Sequence, residues 1–318
     1  MSFLRNILRG SNPPAREPVG PLNVEEQEIS KHLCAHVHAL AEEIGERNLF
    51  RYESLERSAA YIEETFRSCG WEVSDQAFGV ERRMVRNIEA KRRGGISPEE
   101  IIVVGAHYDS VCGSPGANDN ASGVAAILEL ARLFVTRAHD RTLRLVTFVN
   151  EEPPFFRSRY MGSRVYARRA RGQGENILAM LSVETIGYYS GAIGSQGYPF
   201  PLGLLYPHVP DFIGIVGNIQ SHMLVRRCIN SFRKHSAFPA EALTAPAWMM
   251  GVGWSDHWAF WQEGYRAAMI TDTALFRYPY YHSFYDTPGR LDYPSTARVV
   301  SGIGGIVQDL LASKRPCC

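Results

Sequence analysis

Three short apolar runs do most to limit what this chain can fold into: "IIVVGAH" at 101–107, "LRLVTFVN" at 143–150 and "ILAMLSV" at 177–183. They are short and rich in branched aliphatics, and they lack the polar alternation of a strand with one wet face. Each therefore reads as a strand covered on both sides. Between them the apolar period lengthens to three or four residues, so "ASGVAAILELARLFV" (121–135) and "SRVYARRAR" (163–171) read as helices. Strands alternating with helices indicate an α/β sheet buried on both faces. "EVSDQAFGV" (72–80), "MVRNIEAKRR" (84–93) and "AAMITDTA" (267–274) add further strands. Two amphipathic helices precede them. One carries Ile29, Leu33, Val37, Leu40 and Ile44; the other, opened by Ser54 as N-cap, carries Leu55, Ala59, Ile62 and Phe66.

With 318 residues, 45% of them apolar, the chain can bury one large core or two modest ones. No repeat or linker divides it, so one domain is expected over 23–318. Residues 1–22 are expected as a poorly ordered lead-in, and the glycine- and proline-rich stretch 187–220 as an excursion. A net charge of +1 gives no broad basic field for nucleic acid. No stretch is apolar enough for a membrane span, and the first residues lack a signal-peptide core, so a cytoplasmic protein is expected. The six cysteines show no CxxC spacing and fit reduced thiols, with Cys317-Cys318 as an exposed tail.

Chemistry gathers where the strands end. "IIVVGAH" leads into His107 and Asp109, "LRLVTFVN" into Glu151 and Glu152, and "ILAMLSV" into Glu184. Functional groups in open α/β sheets collect just past the carboxyl ends of strands. So many acids in one place repel one another unless a cation lies between them. Histidine nitrogen and carboxylate oxygen are a donor set for zinc. Two metals about 3.5–4 Å apart need a bridging carboxylate, a part that Asp119 in the glycine-rich loop "GANDNASG" can fill. Taken alone, Asp119 is also an ordinary helix N-cap and Glu151-Glu152 an ordinary solvated strand end. His32 and His36, spaced i, i+4, read as a solvated face. Ser255 or Asp256 reads as a cap for the helix that begins near His257, Asp286 as an Asx-type turn, and Asn118 and Asn120 as turn formers.

The motifs "GAHYDS", "GANDNASGVA", "FVNEE", "SVETIGYY", "WSDHWAFWQEGYRAAMITDT" and "YHSFYDTPGRLD" are more specific together. Through them the sequence resembles the zinc-dependent exopeptidases that include bacterial leucyl aminopeptidases, glutamate carboxypeptidase and glutaminyl cyclases. Weaker similarity reaches back to about residue 27. The resemblance implies a three-layer α/β/α sandwich around a mixed, mostly parallel sheet. It implies two zinc ions, one held by His107 and Glu184, the other by Glu152 and His282, with Asp119 bridging. Glu151 is then the general base and Asp109 orients His107. The family most often has aspartate where this chain has Glu184, and Pro153-Pro154 stiffens the loop after Glu152.

The implied substrate is a peptide or an aminoacyl compound, cut at its amino end by a two-zinc aminopeptidase. Three alternatives stay open: a carboxypeptidase using Arg157, Arg159, Arg277 or Arg290, a single-zinc glutaminyl-cyclase-like acyltransferase, and a metal-free binding relative. Tyr280 or Tyr281 is a candidate oxyanion donor. The absence of G-x-S-x-G, H-E-x-x-H and G-x-x-x-x-G-K-[ST] disfavours serine hydrolysis, thermolysin-like proteolysis and nucleotide hydrolysis. The sequence does not specify oligomeric state.

Overall fold

The structure is a computed structural model that describes residues 20–313. The expectations for residues 1–19 and for Cys317-Cys318 lie outside the described residues. Eight strands, β1 (Glu72–Val80), β2 (Arg83–Arg92), β3 (Ser97–His107), β4 (Arg141–Phe148), β5 (Asn176–Glu184), β6 (Ile213–Gly217), β7 (Ala240–Thr244) and β8 (Ala267–Thr271), form one sheet. Their order is β1-β2-β4-β3-β5-β8-β6-β7. The pairs β3–β4, β3–β5, β5–β8 and β6–β7 are parallel, and β1–β2, β2–β4 and β6–β8 are antiparallel. The sheet is therefore mixed and mostly parallel, as expected. Because β4, β3, β5 and β8 run side by side in one direction, their carboxyl ends open onto one edge, and the polar groups noted in sequence are delivered there together.

Helices α1 (Val24–His38), α2 (Tyr52–Ser68), α3 (Gly123–Phe134), α4 (Gly162–Gly172), α5 (His222–His235), α6 (His257–Gln262) and α7 (Tyr293–Leu311) cover both faces. Alternation along β3 shows why both are needed. Ile102, Val104 and Ala106 pack with α1, α3, α5 and α7, whereas Ile101 and Val103 pack with α4 and α6. This is the three-layer arrangement. Asn23 caps α1 in a reciprocal capping box with Glu26, and Asp292 caps α7 by accepting from Ser295 N–H.

Two expectations change. Residues 187–220 are not wholly an excursion, because 213–217 form β6 inside the sheet, between β8 and β7. Its five residues, "IGIVG", carry two glycines and are too short to show a period. The first amphipathic pattern also stops being a regular α-helix at His38 and continues to Ile44 as a π-type turn.

Candidate active site

The strand ends converge as the topology requires. His107 closes β3, Glu151 and Glu152 follow β4, and Glu184 closes β5. Asp119 comes from the loop before α3 and His282 from the loop before α7. His107 Nε2 lies 3.3 Å from Asp119 Oδ1 and 3.3 Å from Glu184 Oε2. His282 Nε2 lies 3.1 Å from Asp119 Oδ2 and 3.3 Å from Glu152 Oε2. Two three-donor clusters thus share Asp119, one through each oxygen. Glu151 belongs to neither, and its Oε2 is 3.9 Å from His107 Nε2. All of these residues except the part-exposed His282 are buried.

Several observations fit a metal. Asp119 Oδ2 and Glu152 Oε1 are buried yet receive no hydrogen bond, so nitrogen and oxygen converge without pointing at one another. Separations of this size match the edge of a tetrahedron with bonds of about 2.0 Å, the geometry of zinc with nitrogen and oxygen donors. The protein alone also pushes protons onto the cluster. Burial raises Glu151 well above the usual carboxylate range and raises Glu184 too, while burial together with neighbouring Asp119 lifts Glu152 to about 7. Burial pulls His282 down, but the neighbouring Asp119 and Glu152 carboxylates win and raise it to about 10. For Asp119, burial works upward and the two histidines hold it below the usual range. A divalent cation replaces those protons with one centre of positive charge.

The supports are less like those expected. His107 Nδ1 is 3.1 Å from the Asp109 carbonyl oxygen and 3.6 Å from the Asp109 carboxylate. That carboxylate accepts from the backbone N–H groups of Glu151 and Glu152, at 3.1 Å each, so it holds these two residues together. Asp286 is not a simple turn residue. It is fully buried and accepts from Asn118 N–H (2.8 Å), Asp119 N–H (3.1 Å) and the Tyr278 hydroxyl (2.7 Å). Asn118 and Asn120 are clamps as well: Asn118 Oδ1 accepts from Gly187 N–H, Asn120 Nδ2 donates to Val183 O and Asn120 Oδ1 accepts from Thr185 N–H, tying the loop that carries Asp119 to the end of β5. Arg47, which the sequence did not single out, is fully buried and donates to the carbonyls of Tyr108, Pro115 and Gly116. Neither Ser255 nor Asp256 caps α6 through its side chain; Ser255 Oγ donates instead to Glu184 Oε2 at 2.7 Å. His257 packs edge-on against Trp261, with Nε2 on the Val252 carbonyl. Asn150, Thr185 and His282 all have φ between 43° and 58°, so left-handed backbone adjoins Glu151 and Glu184 and carries His282 itself.

A largely apolar cavity opens beside Glu184 and Tyr281, walled by β6, β7, β8 and the loops around 196–206, 250–254 and 273–276. Tyr281, not Tyr280, is on its wall, and its ring stacks on His282 at 3.9 Å between centroids. The four arginines noted in sequence are not on the wall: Arg277 donates to Gln196 Oε1 and Phe212 O, Arg157 to Gly253 O, and Arg159 and Arg290 lie over tyrosine rings.

The family model described as Peptidase family M28 matches residues 87–307, which include His107, Asp119, Glu151, Glu152, Glu184 and His282. The chain belongs to peptidase family M28. Among M28-like relatives, the uncharacterized protein YfbL of Escherichia coli (strain K12) is 38% identical over 295 residues, 90% of this chain and 88% of that protein. A zinc aminopeptidase from Bacillus subtilis, BSAP, superposes with a TM-score of 0.70 at 15% identity, covering 90% of this chain and 96% of that one. A glutaminyl cyclase from Bacteroides thetaiotaomicron, in complex with N-acetylhistamine, superposes with a TM-score of 0.64 at 16% identity, covering 96% and 100%. At such identities the structural likeness carries the fold alone. The M28 assignment makes the chain a metal-dependent peptidase, and Arg47 stands outside the matched span. Among the described residues, no helix is long and apolar enough to cross a membrane.

Proposed function

We propose that the chain is an aminopeptidase that works with two zinc ions, one held by His107, Asp119 and Glu184 and the other by Asp119, Glu152 and His282. The observation that carries this reading is Asp119, which offers one oxygen to each of two otherwise separate donor clusters. The amino end is favoured over the carboxyl end because the charged groups lining the adjoining cavity are carboxylates, with no arginine or lysine among the lining residues. A carboxypeptidase needs a cation there. The single-zinc acyltransferase reading is disfavoured by the completeness of both clusters.

When bound, zinc supplies Lewis acidity that polarises the scissile carbonyl and makes water a competent nucleophile near neutral pH. Glu151 lies outside both clusters and has its proton affinity raised by burial, so it accepts the proton released as water attacks. It then delivers that proton to the leaving nitrogen as the C–N bond breaks. Tyr281 is kept protonated by burial and by neighbouring Asp119, and its hydroxyl donates to the developing oxyanion. Asp109 keeps Glu151 and Glu152 in register through their backbone N–H groups.

The test pairs metal content with turnover. Zinc-replete protein is expected to carry two zincs and to release p-nitroaniline from aminoacyl-p-nitroanilides in a chelator-sensitive way. Glu151→Gln is expected to keep the zinc and lose about 10²–10⁴-fold in kcat. Protein that takes up no zinc, or a Glu151→Gln variant with normal turnover, defeats the assignment.

A further inference from the structure

The loop that presents Asp119 is gripped from two sides. Arg47, fully buried in the connection between α1 and α2, donates from Nε to Tyr108 O (2.7 Å), from Nη1 to Pro115 O (2.5 Å) and from Nη2 to Gly116 O (2.8 Å). Asp286 takes the N–H groups that come next: Ala117 N–H on its carbonyl oxygen (3.1 Å), Asn118 N–H on Oδ1 (2.8 Å) and Asp119 N–H on Oδ2 (3.1 Å). The peptide joining Gly116 to Ala117 therefore has its C=O on Arg47 and its N–H on Asp286. These two groups of a trans peptide point in opposite directions, so the cation and the acid lie on opposite sides of it. The peptide dipole has its negative end on the guanidinium and its positive end on Asp286.

Charge explains why an arginine is held here. Every bond that the guanidinium makes among the described residues goes to a carbonyl oxygen, Leu40 O and Gly45 O being the other two, and none goes to a carboxylate. A buried cation without an ion-pair partner is costly. Burial lowers Arg47 to about 10, still charged at neutral pH, and the acids that oppose this are Asp286 first, then Asp109, Asp119 and Glu152. The guanidinium and Asp286 thus attract each other through the loop they share. The fit is close: Gly116 has a φ of 60°, and a Cβ on it would stand 2.4 Å from Asp119 O and 3.3 Å from Arg47 Nη2. Arg47 fixes the start of the same stretch as well. Tyr108 directly follows the ligand His107, Arg47 N–H donates to Ser110 Oγ (3.1 Å), and Ser110 N–H donates to Arg47 O (2.8 Å).

Resting on the two-zinc reading, we propose that Arg47 is a positioning residue: with Asp286 it clamps the Asp119 loop in ligand geometry before metal arrives, so that zinc meets a preformed bridge. Neither residue acts on zinc directly. A ligand ordered in advance loses less freedom when it binds, so the clamp raises affinity without adding a donor. Its cationic half stands outside residues 87–307, so the segment before the sheet completes a site whose ligands all come after it.

A double-variant cycle on the full chain reads the coupling. Zinc affinity is measured by competition with a chromophoric chelator for Arg47→Lys, for Asp286→Asn and for the two together. Lysine keeps the charge and replaces the planar fork by a point ammonium. Each single variant is expected to weaken zinc binding about 10–100-fold. The double variant is expected to lose less than the product of the two by about fivefold or more, because one loop is released only once. Losses that multiply overturn the clamp. So does an Arg47→Lys variant that melts at a lower temperature and binds zinc as tightly as the wild type, since its role is then confined to fold stability.

Hydrogen exchange on the wild-type chain decides the matter should a variant not fold. In chelator-treated protein the amides of Ala117, Asn118 and Asp119 are expected to exchange as slowly as in zinc-loaded protein. A segment that exchanges freely until zinc is added overturns the clamp. A chain that binds no zinc yet protects these amides defeats the two-zinc reading and leaves the clamp standing.

Discussion

Asp286 touches none of the donor atoms of the two clusters, yet it fixes where the shared one lies. Its two oxygens take the backbone N–H groups of Asn118 and Asp119, and the Tyr278 hydroxyl adds a third bond. Burial raises the carboxyl to about 6, against the pull of those donors. Replacing it by asparagine keeps the shape but turns one acceptor into a donor that faces an N–H. Hydrogen bonds to a charged partner contribute about 1.5–3 kcal/mol each. Groups that orient metal ligands typically change affinity by about 10–100-fold when altered. Asp286→Asn is therefore expected to weaken zinc binding within that range, read by competition with a chromophoric chelator, and to lower kcat/KM in parallel. Unchanged zinc affinity would show that the bridging loop holds itself. In sequence this residue gave no sign of its role, since the two groups through which it holds the loop are backbone N–H groups 167 and 168 positions away. Arg47 escaped notice for the same reason: it binds carbonyls, which every residue has.

Elements were legible where burial was symmetric. β3, β4 and β5 are apolar on both faces, and their composition announces this. α7 is harder to see, because Gly302, Gly304 and Gly305 interrupt its apolar pattern and lower its helix propensity. Those glycines nevertheless make its packing possible. A Cβ on Gly302 would stand 2.3 Å from the ring of Phe232 in α5, and one on Gly305 would stand 2.4 Å from His235. The two helices meet at a distance that only glycine allows, and the feature that hides the helix in sequence is what docks it. Gly302→Val adds bulk into a filled contact, where overpacking costs about 1–3 kcal/mol and the helix-propensity gain is smaller. The urea midpoint is expected to fall accordingly. A variant with the wild-type midpoint would mean that α5 and α7 slide apart freely, contrary to the packing described.

At the scale of the whole molecule, the donor clusters join segments far apart in the chain, from His107 to His282. Without a cation, buried carboxylates face one another there and have raised proton affinities, so folding must bring like charges together. In the proposed holoenzyme, zinc binds the assembled clusters and binds the unfolded chain weakly, which moves the unfolding equilibrium by mass action. With free zinc about 1,000-fold above the dissociation constant, one site contributes about 4.1 kcal/mol. Scanning calorimetry of the full chain is therefore expected to show Tm falling by several degrees on chelation and returning on adding zinc. His282→Ala removes a donor from the Glu152 cluster and leaves the Glu184 cluster whole, so it is expected to keep part of that shift. If Tm is the same with chelator and with zinc, the convergence of carboxylates is stabilised by protons alone, and the two-cluster reading falls. If His282→Ala abolishes the whole shift, the clusters load as one unit and Asp119 couples them more tightly than independent sites allow.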